Sequence, residues 1–130
     1  MSFPTISAYL AAAYAILMVW LSLQTSIRRR ALRVSTGDGG DETLNRRIRA
    51  HGNFSEYAAL ALVIVALVEL SGMARLNVCV LALAFLLARV LHAVGMLYAS
   101  GPTLRAIGML LQHAGFLFGA VLLIKGAIHQ

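Results

Sequence analysis

The sequence predicts an all-α membrane protein, a four-transmembrane-helix bundle in one domain over residues 1–130. Two observations predict it. Apolar residues make up 60% of the chain and charged residues only 12%, against about 45–50% and about 25% in an ordinary soluble domain. So few charges cannot cover the surface of a soluble body of this size, and the length allows one domain at most. The apolar residues also gather into four stretches that can each cross a hydrocarbon core of about 30 Å as a helix, three of them alone and one with help from its polar flank.

The first span is Ile6 to Ile27, within a run of 27 residues that carries no charge. A secretory leader would place basic residues before its apolar run; here Arg28, Arg29, Arg30 and Arg33 follow it, so the span is expected to stay attached. From Arg28 to Arg49 the chain is hydrophilic and holds seven arginines, with Ser35-Thr36-Gly37-Asp38-Gly39-Gly40-Asp41 at its centre. That composition predicts a flexible loop, and Asp41 or Thr43 is placed to cap a helix starting near Leu44.

The second span, residues 46–71, is unusual. Its uncharged run, Tyr57 to Val68, is only 12 residues, so it must recruit the preceding turns with His51, Asn53 and Glu56. Polar groups at membrane depth are costly and normally face a protein interior or a watery cavity. After the turn at Ser71-Gly72-Met73 comes the third span, residues 76–100, with Arg89 and His92 inside it. Gly101-Pro102 breaks the helix, and the fourth span, residues 105–128, carries Gln112 and His113. Cys79, the one cysteine, lies in an apolar run and is expected to be a packing residue; alone it forms no intrachain disulfide or multi-cysteine metal site.

Cytoplasmic loops near span ends collect Lys and Arg. The first loop's seven arginines and Arg105 lie on one side of the bundle, and only Arg75 and Lys125 on the other. This predicts cytoplasmic first and third loops and both termini outside. Arg28 and Arg33 are expected as span-end anchors towards anionic lipid.

Arg49, Asn53 and Glu56 project from nearly one face of helix two, and Glu56 lies about 12 Å inside the cytoplasmic boundary at about 1.5 Å rise per residue. The same arithmetic puts His92 at about 12 Å, Arg89 at about 16 Å, and Gln112 and His113 at about 10–12 Å. Three helices therefore place polar groups in one layer. A Glu56–Arg89 ion pair tying helices two and three together is one expectation, and a rim ion pair of Glu69 with Arg75 or Lys125 is another. As a site, the layer suits a small zwitterionic peptide: arginines clamp carboxylates, Glu56 and Asn53 meet an ammonium or amide, and an arginine beside a thiol favours the thiolate.

The stretch Arg47-Ile48-Arg49-Ala50-His51-Gly52-Asn53-Phe54-Ser55-Glu56-Tyr57 resembles the helix-two signature of the membrane-associated proteins in eicosanoid and glutathione metabolism, the MAPEG family. Leu23-Gln24, Arg29-Arg30-Ala31-Leu32-Arg33-Val34, Ala88-Arg89 and Gly95 match in the same order. The resemblance implies a homotrimer of four-helix subunits, with glutathione bound as co-substrate between subunits near the cytoplasmic face. It also implies transferase chemistry on a lipophilic electrophile, with peroxidase activity on lipid hydroperoxides as a second activity found within the family. Carried over by residue, Arg49, Asn53, Glu56 and Tyr57 match the glutathione-contacting motif. Arg29 and Arg30 match basic residues near the peptide's carboxylates, and Arg105 matches the arginine that activates the thiol. His51 and His92 stand where eicosanoid-forming members often have Gln and Tyr, and are read as hydrogen-bonding residues of the same site. These departures resemble the short bacterial branch, which implies a bacterial inner membrane.

No metal and no nucleic acid is expected as a partner; membrane lipid is. One alternative is a non-catalytic, lipid-binding or scaffold member of the same family. A small four-span exporter is the other, disfavoured because span one has no acid and Glu56 lies near an arginine-rich mouth unfavourable for cationic drugs.

Overall fold

Each apolar stretch forms one unbroken α-helix in a computed structural model that describes residues 3–99 and 101–128. The helices are α1 (Thr5–Leu32), α2 (Glu42–Leu70), α3 (Arg75–Leu97) and α4 (Thr103–Ile128), and all four are long and apolar enough to cross a membrane. The helix ends depart from the predicted spans where polar turns continue the helix. α1 runs on from Ile27 to Leu32 and, at 28 residues and about 1.5 Å each, is about 42 Å long. Its arginine-bearing last turns therefore extend beyond a hydrocarbon core of about 30 Å. α2 starts at Glu42 and α4 at Thr103, while α3 ends at Leu97; Ser100, the predicted end of span three, lies outside the described residues.

The helix ends show why these boundaries hold. At the C-terminus of α1, Arg33 adopts a left-handed conformation with φ 57°. The Arg33 and Val34 amides donate back to the carbonyls of Arg30 and Arg29 at 3.2 and 3.0 Å, closing the last turn in the Schellman pattern. Pro4 offers no side-chain cap at the other end. The cap comes instead from α2: Glu69 accepts the Ile6 amide at 2.9 Å, the Ser7 amide at 2.8 Å and the Ser7 hydroxyl at 2.6 Å. This corrects the expected rim pair of Glu69 with Arg75 or Lys125. First-turn amides have no partner within their own helix and carry the positive end of its dipole, so they attract the carboxylate.

The first loop, expected to be flexible, is a chain of bonded turns. Gly37, Gly39 and Gly40 take φ of 65°, 59° and 76°, a region that costs an L side chain but not glycine. Asp38 accepts the Gly40 amide at 3.0 Å and the Asn45 side-chain amide at 2.6 Å. Asp41 caps α2 as predicted, accepting the Leu44 amide at 2.6 Å. It also forms an ion pair with Arg28 at 2.6 Å, so Arg28 ties α1 to the start of α2 and is not a free span-end anchor. The Gly40 and Asn45 bonds hold the Asp38 carboxyl below the usual carboxylate range.

Tyr14 packs edge-on against Phe54, and Phe85 at a tilt against Phe116; ring centroids are 5.2 Å apart in both pairs, and together they fill the interior between the helices. α3 and α4 approach most closely at glycines. A Cβ on Gly108 would lie 2.7 Å from the Ala88 carbonyl oxygen and 2.8 Å from the His92 amide nitrogen, and one on Gly95 would lie 2.8 Å from the Arg105 nitrogen. Small residues that let backbones meet are the usual packing device between membrane helices. Here they seat the start of α4 against the end of α3, where the polar residues collect.

Candidate functional site

At the arginine-rich end, α2, α3 and α4 enclose a cavity of about 300 Å³. Arg49 and Asn53 reach it from α2, His92 and Met96 from α3, and Arg105 and Met109 from α4, with Pro102 and Ala106 completing the wall. A second space of about 430 Å³ shares Arg49, Met96 and Arg105 and continues past Arg46 and Asn45 to Asp38, Asp41 and Glu42 of the first loop. Four of the predicted site residues, Arg49, Asn53, His92 and Arg105, thus share one pocket. The helical arithmetic placed Glu56 level with His92, whereas the α2 residue that shares the pocket with His92 is Asn53, one turn nearer the arginine-rich end. The arithmetic did not anticipate Met96, Met109 and Pro102, since apolar residues among apolar neighbours carry no signal of pocket lining.

The arginine collar divides into bonded and available cations. Arg28 pairs with Asp41, and Arg29 donates to the carbonyls of Gly37 at 2.7 Å and Ser35 at 3.4 Å. Arg46 donates to the carbonyls of Met96 at 2.7 Å and Ala99 at 2.5 Å, and Arg47 to that of Gln24 at 2.8 Å. The Arg46 bonds satisfy the Met96 carbonyl, which the end of α3 leaves unpaired, and the Ala99 carbonyl just beyond it, in a helix whose own last turn has no basic residue. Among the described residues, Arg30, Arg33 and Arg49 make no side-chain hydrogen bond. Arg105 makes one, a weak bond at 3.6 Å to the thioether sulfur of Met96, and its buried Nε has no partner. Among the described residues, Arg49 and Arg105 are the two of the collar that both line the 300 Å³ cavity and keep donors free for a ligand.

Directly behind the pocket, Arg89 is 1% exposed. It donates to the side-chain oxygen of Asn53 at 2.7 Å, lies 5.0 Å from the centroid of the Tyr57 ring and reaches the sulfur of Met109 at 3.7 Å. This overturns the expected Glu56–Arg89 pair. Arg89 is held by an amide and an aromatic face, while Glu56 points away from the bundle interior and is exposed. One helical turn separates Asn53 from Glu56, and the inward position belongs to Asn53.

Several predicted residues lie outside the pocket of a single chain. Arg29 is engaged with the first loop, and Arg30 and Glu56 are exposed. His51 is half-buried, and its carbonyl accepts the Ser55 hydroxyl at 2.9 Å. Tyr57 packs under Arg89, stacked on Phe116 at 6.1 Å and edge-on to His113 at 6.2 Å. Gln112 is fully buried, and neither polar atom of its amide has a partner among the described residues.

Four helices apolar enough to cross a membrane, with an arginine-flanked polar pocket at one end, define a small integral membrane protein with a polar cleft at one end of its bundle. The MAPEG family model matches residues 7–125, and the chain belongs to that family. It is similar to inner membrane protein YecN of Escherichia coli strain K12, 33% identical over 90 residues that cover 69% of each chain. The protein of the same name from Escherichia coli O6:H1 matches to the same extent.

Proposed function

We propose that this protein is an inner-membrane glutathione transferase, with a peroxidase activity on lipophilic hydroperoxides from the same site. The observation that carries the reading is that Arg49 and Arg105, from two different helices, line one cavity together with Asn53 and His92. Two cations with free donors suit a peptide carrying two carboxylates and an ionisable thiol. Arg105 already donates to a neutral sulfur at 3.6 Å, and a thiolate is a far stronger acceptor for the same group. Bound glutathione loses its thiol proton to water at the mouth, and the guanidinium beside it stabilises the sulfur anion. The sulfur then forms a bond to an electrophilic carbon, whose leaving group departs with the bonding pair. With a hydroperoxide, attack on the terminal oxygen breaks the O–O bond and expels the alkoxide, which takes a proton from water and leaves as the alcohol; a second glutathione converts the resulting sulfenic acid to the disulfide and water. Met96, Met109 and Ala106 supply an apolar wall for the acceptor.

The site is completed in a homotrimer with the pocket facing the cytoplasm. Support comes from Glu56 and His113, which are exposed on the outer faces of α2 and α4 at depths where polar groups normally meet protein or water rather than lipid. A neighbouring subunit covering α2 would bring Glu56, and another chain's Arg29 or Arg30, to the peptide.

Titration of the purified protein with glutathione, read by the ultraviolet absorbance of the thiolate, tests ligand, site and chemistry together. The expected result is saturable thiolate formation that Arg105→Ala abolishes, with Arg49→Ala weakening binding by at least about 1.5 kcal/mol. Binding without thiolate, and no turnover of an aryl halide, would instead make this a non-catalytic member of the family.

A further inference from the structure

At the end of the bundle away from the arginine pocket, α1 and α3 enclose a second, separate groove of about 300 Å³. Ile6 and Leu10 of α1 and Ala82, Leu83 and Leu86 of α3 line it; Leu83 is 65% exposed. Its polar features are confined to one end, where Arg75 lines the rim at the start of α3 and Tyr9 is 74% exposed. Among the described residues Arg75 makes no ion pair. The nearby Glu69 carboxylate already accepts three hydrogen bonds from the first turn of α1.

We propose that this groove is a binding site for one acyl chain of an anionic phospholipid, with Arg75 holding the phosphate. Length supports this occupant. From Arg75 to Leu86 α3 rises about 16 Å, close to half of a hydrocarbon core of about 30 Å, which is the depth of one leaflet. Charge supports it as well, since an apolar trench under a single cationic rim is complementary to an amphiphile with an anionic head. A tyrosine at the same rim sits where the polar tip of an aromatic meets headgroups. This site is independent of the glutathione reading: it shares no residue with the arginine pocket and lies at the other end of the helices.

Cys79 reports on the groove. It is the chain's one cysteine, half-buried and unpaired, and its side chain lines the trench instead of packing fully inside the bundle as its apolar neighbours predict. The experiment measures the rate of Cys79 modification by N-ethylmaleimide in the full-length protein in uncharged detergent, with dioleoyl phosphatidylglycerol or dioleoyl phosphatidylcholine added. Phosphatidylglycerol should slow the reaction about fivefold more than phosphatidylcholine, the preference one interfacial arginine confers, and Arg75→Gln should erase the difference. Native mass spectrometry should show retained phosphatidylglycerol on the parent chain and its loss from the Arg75→Gln chain, which folds normally because Arg75 is exposed. Equal protection by both lipids, or none by either, overturns the proposal. Protection that grows with protein concentration in the absence of lipid also overturns it, because a second copy is then the occupant.

Discussion

Arg89 Nη1 donates to Asn53 Oδ1 at 2.7 Å, joining α3 to α2 inside the bundle. No carboxylate lies within ion-pairing distance of Arg89 among the described residues, so the Asn53 amide, the Tyr57 face and a weak contact to the Met109 sulfur hold a buried cation. Removing the acceptor leaves the charge in place, whereas removing the charge leaves only an amide that water can reach from the pocket. Asn53→Ala should therefore destabilise the protein by about 2 kcal/mol, as expected for a hydrogen bond to a charged group. Arg89→Met, of similar volume, should cost less than about 1 kcal/mol, since apolar replacements of buried ions are often neutral. Equilibrium unfolding in mixed micelles measures both, and the reverse ranking would mean that the cation is not desolvated.

Glu69 caps a helix remote from it in sequence. Glu69→Ala should cost about 1–2 kcal/mol, the range for a lost helix cap, and should speed hydrogen exchange at the Ile6 and Ser7 amides. Glu69→Gln, which keeps one acceptor and loses the charge, should fall between. Unchanged exchange in the alanine variant would show that the first turn of α1 is held by its lipid or detergent surroundings alone.

Asp41 links acid to the seating of α2. The Arg28 guanidinium, and after it the Leu44 amide, hold its carboxyl below the usual range. A carboxyl depressed in the folded state adds stability above its unfolded pKa and loses it as pH falls through the lower, folded one. Protection of the Leu44 amide should thus be constant at neutral pH and fall only below about pH 4. Arg28→Gln should shift that fall to higher pH. A midpoint that does not move would place the depression on the backbone bond alone.

Gly108 sets the distance between α3 and α4. With backbone atoms 2.7 and 2.8 Å from where an added methyl would lie, Gly108→Ala should cost about 1–3 kcal/mol, as overpacking does, and, on the proposed function, should weaken glutathione binding by shifting His92 relative to Arg105. Gly52 of α2 has nothing within 4 Å of its would-be Cβ, so Gly52→Ala should instead stabilise by about 0.5–1 kcal/mol through helix propensity. Thermal unfolding of the two variants side by side separates close packing from propensity.

Much of this architecture is legible along the chain. The four helices, the Asp41 cap, the break at Gly101-Pro102 and the family signature around Arg49 and Asn53 all depend on short-range pattern. That α2, α3 and α4 all carry polar groups near the arginine-rich end follows from rise per residue alone. The roles of the arginines do not. Arg46 and Arg49 are three residues apart in one basic cluster, yet Arg46 closes the end of α3 and Arg49 lines the pocket.

Hydropathy and helical period are additive properties of neighbouring residues, and they determine the spans, the membrane class and the side on which positive charge collects. Partnership is different, because a polar side chain in a dry interior takes whichever acceptor the packing of another helix brings within about 3 Å. Glycine contacts between α3 and α4 position Arg105, and the turn of α2 directs Asn53 inward and Glu56 outward. That is why the Asn53–Arg89 bond, the Glu69 cap on α1 and the separation of two pocket-lining arginines from a collar of eight emerge only once the helices are packed.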